Sequence, residues 1–146
     1  MAISRKLTLV ACLAVLGVFA WTLNAQPVNE TLMEDVVITQ GDGAAEVNVM
    51  FRCGMRYLSH FPHYTGDELR IRVKPALGCP ADESVNTGRG RLSAPLGNEA
   101  YLLETVYEGE FAGEQNVTLR FDQQVIFEVV QGSDFRSLNV IVYPVE

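Results

Sequence analysis

The chain contains 146 residues, of which 48% are hydrophobic and 20% charged, and its formal net charge is −7. This length corresponds to about one domain, and the composition excludes a disordered chain, a collagen-like chain and a coiled coil. The negative charge argues against DNA or RNA as a general partner, because proteins that bind nucleic acids present basic surfaces.

Residues 1–25 have the pattern of a secretory signal peptide. Arg5 and Lys6 form a basic start, residues 7–23 contain no charged side chain, and a small residue precedes the expected cleavage point. Cleavage would leave residues 26–146 as a single domain in the periplasm. An uncleaved leader that anchors the protein in the inner membrane is the alternative, because the apolar run is close to the minimum length of a membrane span.

The cysteines indicate one disulfide. Cys12 lies in the leader, so Cys53 and Cys79 are the two cysteines of the exported chain. Two cysteines in an oxidising compartment predict a disulfide between them, and a pair of buried free thiols is the alternative. Zinc binding is not expected, because no C-x-x-C or H-x-x-x-H spacing accompanies these cysteines.

The exported chain contains two similar copies of one unit, residues 32–75 and 101–144, joined by a connector over residues 76–98. Displacing the sequence by 70 residues places apolar, turn and aromatic residues of the first copy on their equivalents in the second. Examples are the pairs Leu32/Leu102, Val36/Val106, Gly43/Gly113, Phe51/Phe121 and Tyr57/Phe127.

Each unit is predicted to form four β-strands. The expected strands cover residues 32–39, 45–51, 55–61 and 68–74 in the first unit, and residues 101–108, 115–121, 124–130 and 135–143 in the second. Apolar and polar residues alternate within these segments, and glycine-containing turns separate them. No segment of the exported chain shows the period of an amphipathic helix.

These patterns predict an all-β fold, a β-sandwich of two pseudo-symmetric, four-stranded, mainly antiparallel units. A four-stranded sheet with one apolar face is not stable alone, so the two units are expected to bury these faces against each other. If each unit is an antiparallel meander, its second and fourth strands end at the same edge, where Cys53 and Cys79 come close enough to pair.

Two stretches of the sequence resemble the AMIN domain. They are VNVMFRCGMRYLSHFP, followed by DELRIRVKP, in the first unit and VTLRFDQQVIFEVVQG in the second. The AMIN domain is a peptidoglycan-binding module of bacterial periplasmic amidases and secretins, and the resemblance covers nearly all of residues 32–144. It implies two symmetric four-stranded units and attachment to the cell wall. The chain differs from the family at Arg70, Arg72 and Lys74, because AMIN sequences tend to carry an acidic residue in this closing strand.

Motifs of catalysis or cofactor binding are absent from the sequence. It contains no G-x-S-x-G elbow, no H-E-x-x-H and no glycine-rich phosphate-binding loop, so we expect no enzyme, no cofactor and no metal. His60 and His63 flank a Phe-Pro pair at a strand end, where they have no third metal ligand nearby. They are interpreted as ordinary turn residues.

The polar face of the first unit is rich in cations and is the candidate ligand-binding site. The candidate residues are Arg52, Arg56, Tyr57, His60, Arg70, Arg72 and Lys74. Arginine forks bind carboxylates and phosphates, and the nearby Tyr57 or Tyr64 could stack on a sugar ring. Peptidoglycan or another anionic envelope ligand is therefore the expected partner. The alternative is a solvated face whose cations pair with the acidic residues Asp67, Glu68, Asp82 and Glu83.

The polar face of the second unit contains four residues that are too apolar for a fully solvated sheet, namely Ile126, Val130, Ile141 and Tyr143. Either the connector or the N-terminal segment covers them, or a second subunit or partner protein does. The second functional hypothesis is therefore an envelope assembly or scaffold protein that binds a protein partner through this face. An enzyme is the third.

Overall fold

The computed structural model describes residues 31–76, 79, 88–109 and 115–145, which form eight β-strands and no helix. The strands are β1 (Met33–Gln40), β2 (Ala45–Phe51), β3 (Met55–Phe61), β4 (Thr65–Pro75), β5 (Arg89–Ser93), β6 (Leu102–Gly109), β7 (Gln115–Gln131) and β8 (Ser137–Pro144). Every pairing among them is antiparallel. The prediction of an all-β, antiparallel fold is confirmed.

The predicted signal peptide and Cys12 lie outside the described residues, as do most of the connector and its acidic residues Asp82 and Glu83. The part of the chain that the structure describes contains no helix long and apolar enough to cross a membrane.

β7 connects two groups of strands because each half of it has different neighbours. Its first half, residues 115–121, lies between β4 and β6. Its second half, residues 125–131, pairs with β8. The path through the sheet is β1-β2-β8-β7-β4-β3, with β6 pairing to β7 and β5 pairing to β6. The two strands predicted over residues 115–121 and 124–130 are therefore one continuous strand.

The two repeats exchange strands instead of forming separate meanders. β2 pairs with β1 and β8, whereas β3 pairs with β4 alone. In the second repeat, β6 and the first half of β7 form one hairpin, and the second half of β7 and β8 form the other. The ladders β2–β8 and β4–β7 are equivalent under the repeat, and both join one unit to the other. The stacking of the two units as a sandwich stays a prediction.

The predicted meander, in which β3 would pair with β2, is wrong because the chain turns away from β2 at residues 52–54. The N–H groups of Phe51 and Met55, on either side of this turn, donate to the carbonyl oxygens of Arg136 and Phe135 at 2.8 and 2.6 Å. The β7–β8 turn therefore takes up backbone N–H groups that β2 and β3 would need in order to pair with each other.

The core is built from alternating residues, as the sequence predicted. In β2, Ala45, Val47, Val49 and Phe51 are buried while the residues between them are partly exposed. In β4, Leu69, Ile71 and Val73 are buried and alternate with exposed cations. Complete burial of each such aliphatic side chain contributes about 1.5–3 kcal/mol, so these rows fix which face of each strand points inward.

β5 was not predicted, because it lies in the segment assigned as a connector. It has only five residues, and its glycine, Gly90, lies opposite Tyr107 of β6. Tyr107 is fully buried, and burial raises the pKa of its hydroxyl. A glycine leaves room for a neighbouring large ring, but it lowers the strand propensity by which a strand is recognised in a sequence.

The predicted disulfide between Cys53 and Cys79 is present, with Cα atoms 5.4 Å apart. Cys53 lies in the turn after β2, and Cys79 follows β4. Ala76 donates a backbone hydrogen bond of 2.8 Å to the carbonyl oxygen of Gly54, which holds the end of β4 against this turn. The two cysteines meet because β3 and β4 form a hairpin that starts and finishes beside the turn.

We expect replacement of both Cys53 and Cys79 by Ser to lower the free energy of unfolding by about 3–4 kcal/mol. The disulfide closes a loop of 26 residues and so restricts the unfolded chain. Urea denaturation of the parent and the double variant measures the loss, and reductant should weaken the parent but not the variant. Ready alkylation of Cys53 and Cys79 without reductant would contradict the assignment.

Asp134 closes the turn between β7 and β8. Its Oδ1 accepts hydrogen bonds from the backbone N–H of Arg136 at 2.9 Å and the hydroxyl of Ser137 at 3.0 Å. These bonds favour the charged carboxylate and lower the pKa of Asp134, the Arg136 N–H having the larger effect.

We expect Asp134 to make the stability of the fold depend on pH under acidic conditions. Because its pKa is lowered in the folded state, its contribution is present above the ordinary carboxyl pKa and is lost as the pH falls through the folded value. Asp134→Asn should therefore reduce the difference between urea midpoints measured at about pH 6 and about pH 2.5. An unchanged difference between the two midpoints in the Asp134→Asn variant would contradict this role of Asp134.

Candidate functional site

The candidate site lies on the outer face of the strands β3, β4, β7, β6 and β5. Buried residues alternate there with outward side chains, which include seven cations and five carboxylates in the described ranges. The cations are Arg56, Arg70, Arg72, Lys74, Arg89, Arg91 and Arg120, and the carboxylates are Asp67, Glu68, Glu104, Glu108 and Asp122. We call this surface the arginine face. Its net positive charge contrasts with the net charge of −7 of the whole chain.

Ion pairs neutralise the half of the arginine face that is formed by β5 and β6. Arg89 lies 3.2 Å from Glu108, and Arg91 lies 3.1 Å from Glu104. Arg120 of β7 contacts Glu104 at 2.8 Å and Glu68 of β4 at 3.2 Å. Hydrogen bonds to Glu68 and then to Glu104 raise the pKa of Arg120.

The half formed by β3 and β4 has fewer compensating carboxylates. Arg70 lies 3.9 Å from Glu68, whose other carboxylate oxygen contacts Arg120. Arg56 and Lys74 are opposite each other across the β3–β4 ladder, and neither forms an ion pair with another described residue. Of the acidic partners considered from the sequence, Glu68 is thus shared between two arginines. The cations that this half contributes without an ion pair to a described residue are thus Arg56 and Lys74.

A cavity of about 650 Å³ opens on this half of the arginine face. The lining residues are Ser59, His60, Phe61, Pro62, Gly66, Asp67, Glu68, Arg70 and Arg72. Phe61 lies opposite Arg70 in the β3–β4 ladder, and 73% of its surface is exposed. An arginine beside an exposed aromatic ring can bind a carboxylate while the ring stacks on a flat, partly apolar group.

Gly66 lies close to the turn that borders this cavity. A side-chain carbon at Gly66 would come 3.0 Å from Cγ of Pro62 and 3.3 Å from the carbonyl oxygen of Glu68. A larger residue would therefore press on the turn, which favours glycine at this position. The turn between them contains a cis peptide bond before Pro62.

The expectation that His60 points outward with the arginines is wrong. A β-bulge between Tyr57 and Ser59 shifts the register, so His60 lies opposite the buried Ile71. The His60 ring packs edge-on against the buried Phe127, with ring centroids 6.3 Å apart. The strict alternation assumed from the sequence fails because the bulge inserts one residue into β3.

Tyr57 and His60 form a fixed pair on the inner side of β3. Nε2 of His60 lies 3.0 Å from the carbonyl oxygen of His63, and Nδ1 lies 2.7 Å from the hydroxyl of Tyr57. A carbonyl oxygen can only accept a hydrogen bond, so the Nε2–H of a neutral His60 donates to His63. The Nδ1 atom then accepts a hydrogen bond from the Tyr57 hydroxyl. Burial raises the pKa of Tyr57. This arrangement positions the bulged part of β3 and leaves neither ring directed outward with the arginines.

The structure separates the other predicted cations from the cavity. Lys74 lies four residues beyond Arg70 on the same strand, a distance of about 13 Å along β4, and Arg56 is its neighbour on β3. Arg52 lies in the turn before β3, where its carbonyl oxygen accepts a hydrogen bond of 3.0 Å from the Arg136 side chain. Of the seven predicted ligand residues, Arg70 and Arg72 line the cavity together, and His60 borders it.

Phe61 is the cavity residue that sequence reasoning missed. The signal was present as the aromatic run HFPHY between β3 and β4. In the structure, ring contacts connect Phe61 to His63 and His63 to Tyr64, each with centroids 6.3 Å apart. Tyr64 is 77% exposed, so two large rings face solvent beside the arginines.

Gln131 holds the edge strand β3 in place. Its Oε1 accepts the backbone N–H of Tyr57 at 2.7 Å, and its Nε2 donates to the carbonyl oxygen of Ser137 at 3.1 Å. One side chain therefore ties β3 to β8. Since β3 carries Phe61 and Ser59, Gln131 helps to fix one wall of the cavity.

We expect Gln131→Ala to lower the free energy of unfolding by about 1–3 kcal/mol, because it leaves a partly buried N–H and carbonyl without their partner. Urea denaturation measures this loss. Gln123→Ala, at an exposed position of the same strand, is the control and should change stability by less than about 0.5 kcal/mol. Equal stability of the two variants would exclude the bridging role.

The four predicted partner-binding residues lie together on the outer face of β7 and β8. Ile126 is opposite Tyr143, and Ile141 and Val130 lie opposite Glu128 and Asn139 respectively. The exposed fractions of Ile126, Val130 and Tyr143 are 42%, 40% and 38%. We call this surface the apolar face. It is one contiguous patch with Glu128 at its centre.

No group of three or more His, Cys, Asp or Glu residues that could hold a metal ion occurs in the described ranges. The sequence matches no protein-family model, and comparison with curated proteins gives no significant match.

Proposed function

We propose that this chain is a non-catalytic, periplasmic binding module, similar to the AMIN domain, that docks on peptidoglycan or a related anionic envelope ligand. The observation that supports this function best is the cavity in which Arg70 and Arg72 lie beside the exposed ring of Phe61. Its volume of about 650 Å³ is typical of pockets for small organic groups. Export through the N-terminal leader and the AMIN-like identity are parts of the same proposal.

The chemistry of the cavity fits a polymer that carries both carboxylates and sugar rings. The peptide stems of peptidoglycan carry carboxylates, which suit the planar forks of arginine. A sugar ring presents a flat C–H surface that can stack on Phe61. Glu68 and Asp67 also line the cavity and would repel a second carboxylate, so the cavity favours one acidic group per site.

A single cavity should bind weakly. Arg70 is 57% exposed in its side chain, and exposed charge pairs contribute only about 0.2–1 kcal/mol each. Binding to a polymer with many equivalent groups gains from repeated contacts. The affinity should fall as salt rises, because ions screen exposed charges.

The apolar face supports a second candidate function, that of an envelope assembly protein that binds a protein partner. Three apolar side chains of this face are about 40% exposed and contiguous, which is unusual on a fully solvated sheet. Under this function the arginine face would be an ordinary solvated surface, and loss of its charge would leave partner binding unchanged.

A pair of matched double variants tests the proposed site. Arg70→Gln with Arg72→Gln removes two cations from the cavity, and we expect binding to purified peptidoglycan to fall about two- to thirtyfold, since two exposed charge contacts of about 0.2–1 kcal/mol each are lost. Arg89→Gln with Arg91→Gln removes the same charge from the paired half of the arginine face and should bind nearly as well as the parent. Co-sedimentation with insoluble peptidoglycan at low salt measures both.

Two further comparisons separate specific binding from general attraction. We expect the parent to bind weakly to peptidoglycan whose carboxyl groups have been converted to amides. This binding should be as weak as that of the cavity double variant to unmodified peptidoglycan. Phe61→Ala should weaken binding, whereas Leu96→Ala, at a 97% exposed position away from the cavity, should not. Equal binding by the parent and the cavity double variant would refute the proposed site and leave the apolar face as the better candidate.

A further inference from the structure

Among the described residues, β1, β3 and β5 each pair along one edge only, and the end of β7, residues 127–131, pairs with β8 alone. A free strand edge presents unpaired N–H and C=O groups, and proteins usually protect such edges with charges, bulges or short strands. β5 has five residues, two of them arginines, and β3 contains a bulge and has the Tyr57 N–H occupied by Gln131. These two edges are protected.

The edge of β1 has such protection only at its start, where a register shift lies between Met33 and Asp35 and the carboxylates of Glu34 and Asp35 are found. It has eight residues, and its central segment is Val36, Val37 and Ile38. Val37 is 39% exposed on the outer face, and Val36 and Ile38 are only partly buried although they pack against the core. A long edge with an uncharged, β-branched centre is well suited to pair with another strand.

The hydrogen bonds show which groups this edge presents. The backbone N–H of Val36 donates to the Oδ1 of its neighbour Asp35 at 2.8 Å, so it points away from β2. Because the N–H and C=O groups of successive strand residues point to opposite sides, Ile38 presents its groups on this side as well. An incoming strand would form narrow hydrogen-bonded pairs at Val36 and Ile38, and at Val36 the N–H would exchange its bond to Asp35 for one to a carbonyl oxygen of that strand.

We propose that β1 pairs antiparallel with β1 of a second copy of this chain, about a two-fold axis at Val37. In this register Val37 lies opposite Val37 of the second copy, and Val36 lies opposite Ile38. Asp35 then faces Thr39, and Glu34 faces Gln40. No two carboxylates oppose each other, and every apolar residue meets an apolar one, which is the arrangement that stabilises cross-strand pairs.

A cavity beside β1 fits the same arrangement. It has a volume of about 330 Å³ and is lined by Asp35, Val36, Val37, Ile38, Leu92, Ser93, Ala94, Pro95 and Leu102. The inward side chains of an added strand, Val36 and Ile38 of the second copy, would lie beside its apolar wall. The two-fold axis makes the contact reciprocal, so each copy covers the cavity of the other and the pairing closes as a dimer.

Cysteine cross-linking of the full chain tests the register. Val37→Cys, in a Cys12→Ser background, places two cysteines opposite each other at a non-hydrogen-bonded pair. The Cα atoms of such a pair are about 4.5 Å apart, within the range that a disulfide requires. We expect a covalent dimer on mild oxidation in cells, and none for Leu103→Cys, a similarly exposed apolar position on β6.

The outcomes of this cross-linking distinguish the possibilities. A Val37→Cys chain that stays monomeric would overturn the proposal, and so would equal cross-linking of Val37→Cys and Leu103→Cys, which would indicate random collision. A covalent adduct of Val37→Cys with a different protein would show that β1 binds another partner, which also overturns the proposal.

A charge exchange provides a second test without cysteines. Two copies that carry Val37→Glu, or two that carry Val37→Lys, would place like charges opposite each other, and differently tagged chains of the same variant should not co-purify. Chains with Val37→Glu and Val37→Lys expressed together should co-purify as the parent does. Failure of the parent chains to co-purify, or co-purification of either like-charged pair at the parent level, would contradict the two-fold register.

Discussion

The continuous strand β7 is the element on which the rest of this fold depends. Its first half forms ladders with β4 and β6, and its second half forms a ladder with β8. Because the ladders β4–β7 and β2–β8 both cross between the repeats, neither repeat can complete its hydrogen bonds without the other. A single repeat would leave the edge of β2 and the edge of β4 unpaired. The two sequence copies therefore form one folding unit. Each copy supplies only two hairpins, and the ladders between the copies join these hairpins around a shared core.

The position of each carboxylate decides which arginines of the arginine face are available to a ligand. Glu104 and Glu108 lie on β6, next to β5 and β7, so their ion pairs involve Arg89, Arg91 and Arg120. β3 is an edge strand with no acidic residue of its own. The two cations of this face that have no ion pair with a described residue, Arg56 and Lys74, accordingly lie on β3 and β4, toward the end of the hairpin away from Phe61. The candidate site combines Arg70 and Arg72 with the exposed ring of Phe61.

The sequence predicted the strands and the inward residues well, because alternation and turn residues are local signals. All four strands of the first repeat lie within a few residues of their expected bounds, and the core rows of β2 and β4 follow the expected alternation. The partners of each strand were not predictable in the same way. Pairing of β2 with β8 connects residues about 90 positions apart, and nothing in the local pattern distinguishes it from a meander within the repeat.

The candidate site shows the same limit on a smaller scale. Arg70 and Arg72 were placed correctly because β4 is regular, whereas His60 was misplaced because one bulged residue reverses the facing of all that follow it in β3. Phe61 gains its importance from the same bulge, which brings it opposite Arg70. A local sequence pattern does not show such a bulge, which in the structure accompanies a contact of Tyr57 with His60 and of His60 with the distant Phe127.

The positions of the cavity and of the β1 edge relate the two proposals to each other. β1 and β3 are the opposite ends of the path through the sheet, so pairing at β1 leaves β3 and β4 uncovered. A two-fold dimer would therefore carry two arginine cavities, both accessible, on one rigid body. A cavity that binds weakly alone gains when a second one is held near the same polymer, because the second contact forms at a high effective concentration. Dimerisation through the β-branched centre of β1 and weak docking through exposed arginines would thus complement each other, with the salt dependence of docking belonging to the cavities.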